Sequence, residues 1–424
     1  MIPKRKSLLA AALLVTSSGA AHADTMLSML VDSNPETLVL IDTLTQAYQE
    51  KHPDISFDVE QYIGGSEGDN VVKTRLATGE VPDVLRYNSG SLFQALKPEQ
   101  TLVDLSDLPS AGGVMDVFRS VVSDDKGRLR GVPSGAAMGG GIFYNRKIYA
   151  DLGLEVPKTW ADFMANNAKI KEAGKVAVAQ TYGDTWTSQL FVLADFYNVI
   201  TAVPSFAADY TANKAKYATT PAALRGFEHL EEVFKAGLSN ADFGAARFTD
   251  GMAMVVNGDA AHYPMLTFGI GTAQQNNPDK LQDLGFFAQP GEDASKNGLT
   301  TWMPSALYIP AKSEHLEEAK AFVDWAASKE ACELMAKAVP SGPYLIKGCE
   351  LPKDVPQAVA DMLPYFETEG RTAPALEFLS PIKGPALEQI TVEVGSGIRP
   401  AKDAAALYDQ DVEKQAKQLG LPNW

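Results

Sequence analysis

The stretch GVPSGAAMGGGIFYNRKIYADLGLEVPKTWADF, residues 131–163, decides how the rest of the chain is read. Its first part cannot hold a regular element for long, because Pro133 lacks a backbone donor and the glycines from 131 to 141 loosen the chain. IFYNRK then restores strand character. Thr159, followed three residues later by Asp162, forms a capping box for a helix that turns Trp160, Phe163 and Met164 inward. The simplest physical reading is a crossover between two packed halves, with Gly and Pro placed where the chain must bend.

On the N-terminal side, TMLSMLVD (25–32) is a short apolar run that ends in the polar turn Asp32-Ser33-Asn34-Pro35, after which Leu40, Leu44, Ala47 and Tyr48 recur at helical spacing. ISFDVEQYI (55–63) alternates as a strand, GGSEG (64–68) turns the chain, and VVKTRLATG (71–79) is a helix closed by Gly79. VPDVLRYN (81–88) supplies a third strand. Strands alternating with helices of this length predict an α/β fold with a largely parallel sheet covered on both faces.

Past residue 160 helical spacing dominates to about 283, as in ALRGFEHLEEVFKAG (223–237) and in FTDGMAMVVNGDAAHYPM (248–265). DLGFFAQPG (283–291) reads as a strand returning across the junction, and TWMPSALYIP (301–310) as one rejoining the first sheet. A helical segment, 313–337, places Ala319, Phe322, Val323 and Ala326 on one face, and the residues after VPSGPYL (339–345) are expected to be mostly helical. Trp160 and Trp325 fall on apolar helix faces and belong to the core.

Lys4, Arg5 and Lys6 precede the apolar run LLAAALLV and the small-residue end Ala21-His22-Ala23, the pattern of a secretory signal cleaved after residue 23. The run is too short for a membrane span. About 400 residues then remain, more than one core usually supports. The whole chain carries a formal charge of −16, and losing three basic residues makes it more acidic still. Such a surface repels nucleic acid and anionic lipid, so neither is an expected partner. Cys332 and Cys349 lie 17 positions apart, and in an oxidising compartment they are expected to close a disulfide. Neither cysteine has a histidine at ligand spacing, and no metal or cofactor is expected.

In an open α/β sheet ligands bind beyond the carboxyl ends of the strands. Three polar turns lie there: Asp32 to Asn34, Gly64 with Gly65 and Ser66, and Asn88 with Ser89 and Gly90. Each could equally cap the helix that follows it.

The marks TGEVPDVL (78–85), GVP (131–133), FYNRKIYADLGLEVPKTWADF (143–163), FTDGMAMVVNGDA (248–260) and HLEEAKAFVDWAASKEACELMAK (315–337) resemble, in this order, the extracellular solute-binding proteins of bacterial carbohydrate ABC importers, the group of the maltose- and glycerol-3-phosphate-binding proteins. The resemblance implies a two-lobed clamshell with several hinge crossovers and a small ligand held between the lobes. It implies an N-terminal lobe of 24–134 plus 288–340, a C-terminal lobe of 135–287 plus 341–424, and residues 131–142 as hinge. It also implies a periplasmic, monomeric transport protein, not an enzyme, that delivers a mono- or oligosaccharide to membrane permease subunits; a chemoreceptor could use the same clamshell.

A sugar presents hydroxyls and an apolar ring face, so its site needs carboxylates or amides and aromatic rings. The polar candidates are Asp32, Asn34, Ser66, Asn88, Asp184 and Asp259; the aromatic ones are Trp186, Trp302 and Tyr344, each in an apparent loop. The resemblance singles out Trp186 in the second lobe, and Gly258 would let backbone approach the ligand. Asp259 replaces the aromatic of some maltose-type relatives, which argues against a long malto-oligosaccharide. Arg371 and Lys383 leave a charged ligand open, and polyols, glycerophosphodiesters and polyamines are further alternatives.

The rival class is a serine hydrolase, since GGSEG matches G-x-S-x-G between a strand and a helix, with Ser66 as nucleophile. It would need a base, and His262 is the candidate nearest a cleft. Against it, His229 and His315 lie in charged helical stretches.

Overall fold

The computed structural model describes residues 25–424, so the signal segment expected at 1–23 lies outside the described residues. TMLSMLVD and ISFDVEQY form β1 (Thr25–Asp32) and β2 (Ile55–Tyr62), parallel and in unbroken register from Thr25 against Ile55 to Asp32 against Tyr62. A parallel pair needs a crossover that covers one face. The helix α1 (Pro35–Lys51) supplies it and buries Leu40, Ile41, Leu44 and Tyr48. A second helix, α2 (Gly65–Thr78), leads into β3 (Val84–Tyr87), also parallel to β1. The chain later returns as β10 (Ala306–Tyr308), antiparallel between β3 and β4 (Gly131–Pro133), and the sheet order is β2-β1-β3-β10-β4.

The second sheet is built around β5 (Met138–Asn145). It pairs antiparallel with β7 (Ala260–Leu266), with β8 (Leu284–Ala288) and, at its start, with β9 (Leu299–Trp302). The short strands β6 (Val176–Val178) and β11 (Thr372–Pro374) extend it on β7 and β9. Each sheet has its own apolar core: Leu30, Leu44, Val132, Tyr308 and Phe322 belong to the first, and Ile142, Phe163, Phe227 and Tyr408 to the second. Trp160 is buried in the second, stacked on His229, while Trp325 is partly buried against the first. The capping box of Thr159 and Asp162 is formed in both directions.

Several expectations are corrected. Residues 131–142 are not a continuous hinge: Gly131–Pro133 and Met138–Gly141 are strand, and only Ser134–Ala137 crosses between sheets. The glycines of β5 serve close packing rather than bending, for a Cβ on Gly140 would lie 2.2 Å from the Trp302 ring. AAHYPM is strand β7, not a continuation of the helix before it, because Gly258 at φ 80 ends that helix in a left-handed turn. β8 stays in the second sheet, and the return crossing is Met303–Ser305. The C-terminal region also contains β11.

The lobe boundaries move accordingly. Residues 288–302 belong with the second sheet through β9, while Tyr344, Leu345 and Ile346 join the first core. Hydrogen bonding explains the second shift. Ala137 donates its N–H to the Pro343 carbonyl at 2.7 Å, and bridges form between Ala136 and Tyr344 and between Val114 and Ile346. The chain re-enters the second lobe before the helix Gln357–Glu367, whose Ala358, Val359 and Met362 lie in a core cluster with Phe143 and Phe286. Cys332 and Cys349 are bonded, tying the helix Lys329–Ala338 to the loop beyond it. Among the described residues no helix is long and apolar enough to cross a membrane.

Candidate functional site

The carboxyl ends of β1 and β3 open into a cleft of about 280 Å³ lined from both sheets. Polar turns after parallel strands collect at that edge because every parallel strand ends on the same side.

Asp32 is the organising residue of the first wall. Its Oδ1 accepts from the Asn34 side chain at 2.7 Å and the Thr37 hydroxyl at 2.8 Å, and Oδ2 is ion-paired with Arg86. Arg86 also donates through Nε to the Ser134 hydroxyl at 3.1 Å, so the pair ties the head of the sheet to the crossing segment. Asp32 is therefore a scaffold of the wall, with its acceptors largely occupied. Ser89 is similarly engaged, donating to the Pro304 carbonyl at 2.9 Å. Asn34, Gly65, Ser66 and Asn88 line the cleft, and Asn88 keeps an exposed side chain.

The second wall carries the rings. Trp186 is half-buried beside Phe248 and Phe268, with ring centroids 5.4 and 6.0 Å away. Trp302 is 5% exposed and forms part of the floor, its indole N–H donated to Glu377. Lys383 stands 3.5 Å from the other Glu377 oxygen.

Glu377, Glu388 and Asp69 surround Lys383, and burial competes with charge at the lysine, at Asp69 and at Glu388. Burial pushes Lys383 down, yet Glu377, Glu388, Tyr408 and Asp69 outweigh it and leave its pKa raised. Burial also raises Asp69, opposed by the Tyr87 hydroxyl at 2.7 Å and by Lys73 and Lys383. Glu388 is raised by burial against the Thr185 hydroxyl, Lys383 and the Ser66 N–H. Burial takes the Glu36 carboxyl up to about 8, against the pull of Ser341 and Arg86.

Five sequence candidates lie away from the cleft. Tyr344 is buried in the first core, and its hydroxyl donates to the Met335 and Val339 carbonyls. Asp184 accepts from the Phe248 N–H at 2.8 Å and so starts the helix Phe248–Asn257. Gly258 and Asp259 precede β7, whereas the cleft-lining Leu266 is at its other end, so a seven-residue strand, about 20 Å at roughly 3.3 Å per residue, separates them from the site. Arg371 donates to Asn297 and stacks on Tyr365 outside the cleft.

Sequence reasoning misses Glu36, Asp69, Lys73, Gln189, Glu377 and Glu388 as lining residues. Asp69 and Lys73 had a signal, since they are i, i+4 on α2, beginning one turn after Ser66. The others come from turns and helices whose approach only the tertiary fold fixes.

Among the described residues the hydrolase alternative finds no histidine base near Ser66. His262 is buried between the Tyr149 hydroxyl and the Ala177 carbonyl, His229 stacks on Trp160, and His315 meets Asp83; none lines the cleft. Among the described residues no group of three His, Cys, Asp or Glu side chains is arranged to hold a metal ion.

Residues 35–331 match the family described as bacterial extracellular solute-binding protein. The Multiple sugar-binding protein of Streptococcus mutans is 26% identical over 298 residues, covering 68% of each chain. The Melibiose/raffinose/stachyose-binding protein MelE of Bacillus subtilis is 25% identical over 328 residues, 74% of this chain and 72% of that one. Among solved structures, a chitin oligosaccharide binding protein superposes with a TM-score of 0.81 at 20% identity, over 93% of this chain and all (100%) of the other. RafE in complex with raffinose gives 0.75 at 22% identity, over 92% and 100%.

Proposed function

This chain belongs to the bacterial extracellular solute-binding proteins, and we propose that it captures a short carbohydrate between its two lobes and delivers it to the permease subunits of an ABC importer. The observation that carries the reading is convergence: Trp186 and Trp302 face the same cleft as Asn34, Asp69, Gln189 and Glu388, so ring surfaces and hydroxyl-binding groups meet from both lobes. The names of the sugar-binding relatives support the carbohydrate class. We take the protein to act as a periplasmic monomer.

The cleft's size and charge narrow the ligand. About 280 Å³ lies just below the roughly 300–1,000 Å³ usual for small-molecule sites, which favours a mono- or disaccharide, or a polyol, over a long chain. Of the lining cations among the described residues, Lys383 is already matched by Glu377, Glu388 and Asp69, and Arg86 by Asp32, which leaves only Lys73 for an anionic substituent. Closure follows from contacts made to both walls, which stabilise the closed arrangement relative to the open one.

Calorimetric titration with glucose, galactose, melibiose, raffinose and mannitol tests the proposal. Saturable binding of at least one, with a rise in Tm, is the expected result. If none binds and none shifts the melting temperature, the carbohydrate reading fails.

A further inference from the structure

Glu36 is the second residue of α1 and is 5% exposed, yet it forms part of the cleft wall. Its Oε1 accepts from the Ser341 hydroxyl at 3.1 Å, while Oε2 is buried with no partner. Buried polar atoms are normally satisfied, so an orphan in a binding cleft points to a group supplied from outside. Ser91 Oγ and Gln189 Oε1, both buried and both in the cleft wall, are unpartnered too.

The burial of Glu36 comes from both lobes. A Cβ on Gly271, in the second-lobe helix Gly269–Asn276, would lie 2.9 Å from Glu36 Cγ and 3.0 Å from its Cβ. That helix, GIGTAQQN, brings no charge. The charged and titratable groups facing Glu36 are Asp32 at the end of β1, Arg86 on β3, and Tyr344 on the segment that also supplies Ser341. Arg86 is held by Asp32, so Glu36 has no free cation. With the lobes together, burial holds the carboxyl at about 8, protonated at neutral pH. Separating the lobes would strip away the Gly271 side of that cover and so weaken the burial that raises the carboxyl.

We propose that Glu36 is a specificity-determining ligand contact whose Oε2–H donates to an acceptor oxygen of the captured sugar, and that capture takes up one proton from solvent. The inference rests on the carbohydrate reading above. The balance is simple: the open form holds a carboxylate, closure adds H⁺ from water or buffer, and release returns it. The contact selects a hydroxyl, ring or carbonyl oxygen at that point of the ligand and rejects a donor-only group such as an ammonium.

The sign follows from the raised value. Closure is unhindered below the ordinary carboxylate range, and affinity falls as pH rises through 4.5 to 8, by at most about tenfold per unit, before levelling. Asp69 and Glu388 titrate in the same sense, so the deciding quantity is the difference from Glu36→Gln, which keeps the shape and a donor.

The test is calorimetric titration of the intact protein with melibiose, raffinose and mannitol from pH 5 to 9, in two buffers of different ionisation enthalpy. The wild type is expected to weaken toward alkaline pH and to take up close to one proton per ligand at pH 7. Glu36→Gln should bind with a flatter profile and lose most of that uptake, and Glu36→Leu should remain folded by thermal unfolding but lose tenfold or more in affinity at pH 6. A wild type with neither uptake nor slope, or a Glu36→Gln variant with the wild-type profile, overturns the Glu36 assignment alone. Absence of binding even at pH 5, where the carboxyl imposes little penalty, overturns the carbohydrate reading and this contact with it.

Discussion

Gly65 of the first lobe and Glu388 of the second meet across the mouth of the cleft: a Cβ on Gly65 would lie 3.1 Å from Glu388 Oε2 and 3.5 Å from a Trp186 ring carbon. The glycine stands at φ 81, opens α2, and leaves room for a carboxylate beside the helix N-terminus, where the Ser66 N–H favours the charged form. The GGSEG motif is thus a seat for the opposite lobe.

Gly65→Val introduces both left-handed strain and a clash with that carboxylate. Affinity for a bound sugar should fall by about tenfold or more, and stability by roughly 1–2 kcal/mol. Titration calorimetry and chemical denaturation measure the two separately; an unaltered Kd would show that the lobes do not need this seat.

Trp302→Ala removes a buried ring from the cleft floor, with an expected loss of roughly 2–4 kcal/mol in ligand binding. Glu377→Ala, which frees the indole N–H, should weaken binding less than Trp302→Ala does. Fluorescence titration that found both variants at wild-type affinity would place the ligand elsewhere.

Joining Cys332 to Cys349 closes a loop of 17 positions. Replacing both by serine should cost about 3 kcal/mol of unfolding free energy and leave the Kd within about twofold, because neither residue lines the cleft. Urea denaturation of the double variant, and of the wild type under reductant, checks this.

Asp83 accepts from the Ser28 N–H and hydroxyl, the Ser313 hydroxyl and the His315 N–H at 2.8–3.0 Å. Burial would raise its pKa, but these donors overcome it and hold the carboxyl at about 2, below the ordinary 3.8. A depressed value contributes stability above pH 3.8 that is lost as pH falls toward 2, about 2 kcal/mol in all. Asp83→Asn should therefore be destabilised at neutral pH and converge with the wild type near pH 2, as followed by denaturation at stepped pH.

Much of the architecture was legible because it rests on local rules. The alternation in ISFDVEQY, the capping box at Thr159 and the polar turns after β1 and β3 act within a few residues, and each forms as expected. Strand β7 was not legible, since AAHYPM has apolar residues at both helical and strand spacing and only pairing with β5 and β6 decides between them. Tyr344 illustrates the same limit: a tyrosine beside Gly and Pro looks exposed, but Ala136 and the Met335 and Val339 carbonyls claim it for the first core.

The sequence by itself determined a parallel sheet, a glycine- and proline-marked crossing out of it into a second packed half, and a polar edge beyond β1 and β3, because propensity, capping and turn chemistry are properties of neighbouring residues. Tertiary structure alone decided which lobe β8, β9 and the Ser341–Ile346 segment join, and it alone set Glu36, Glu377, Lys383 and Glu388 around one cleft. Those residues lie up to about 350 positions apart, and what unites them is burial and charge compensation, which exist only after the two cores have packed and closed on each other.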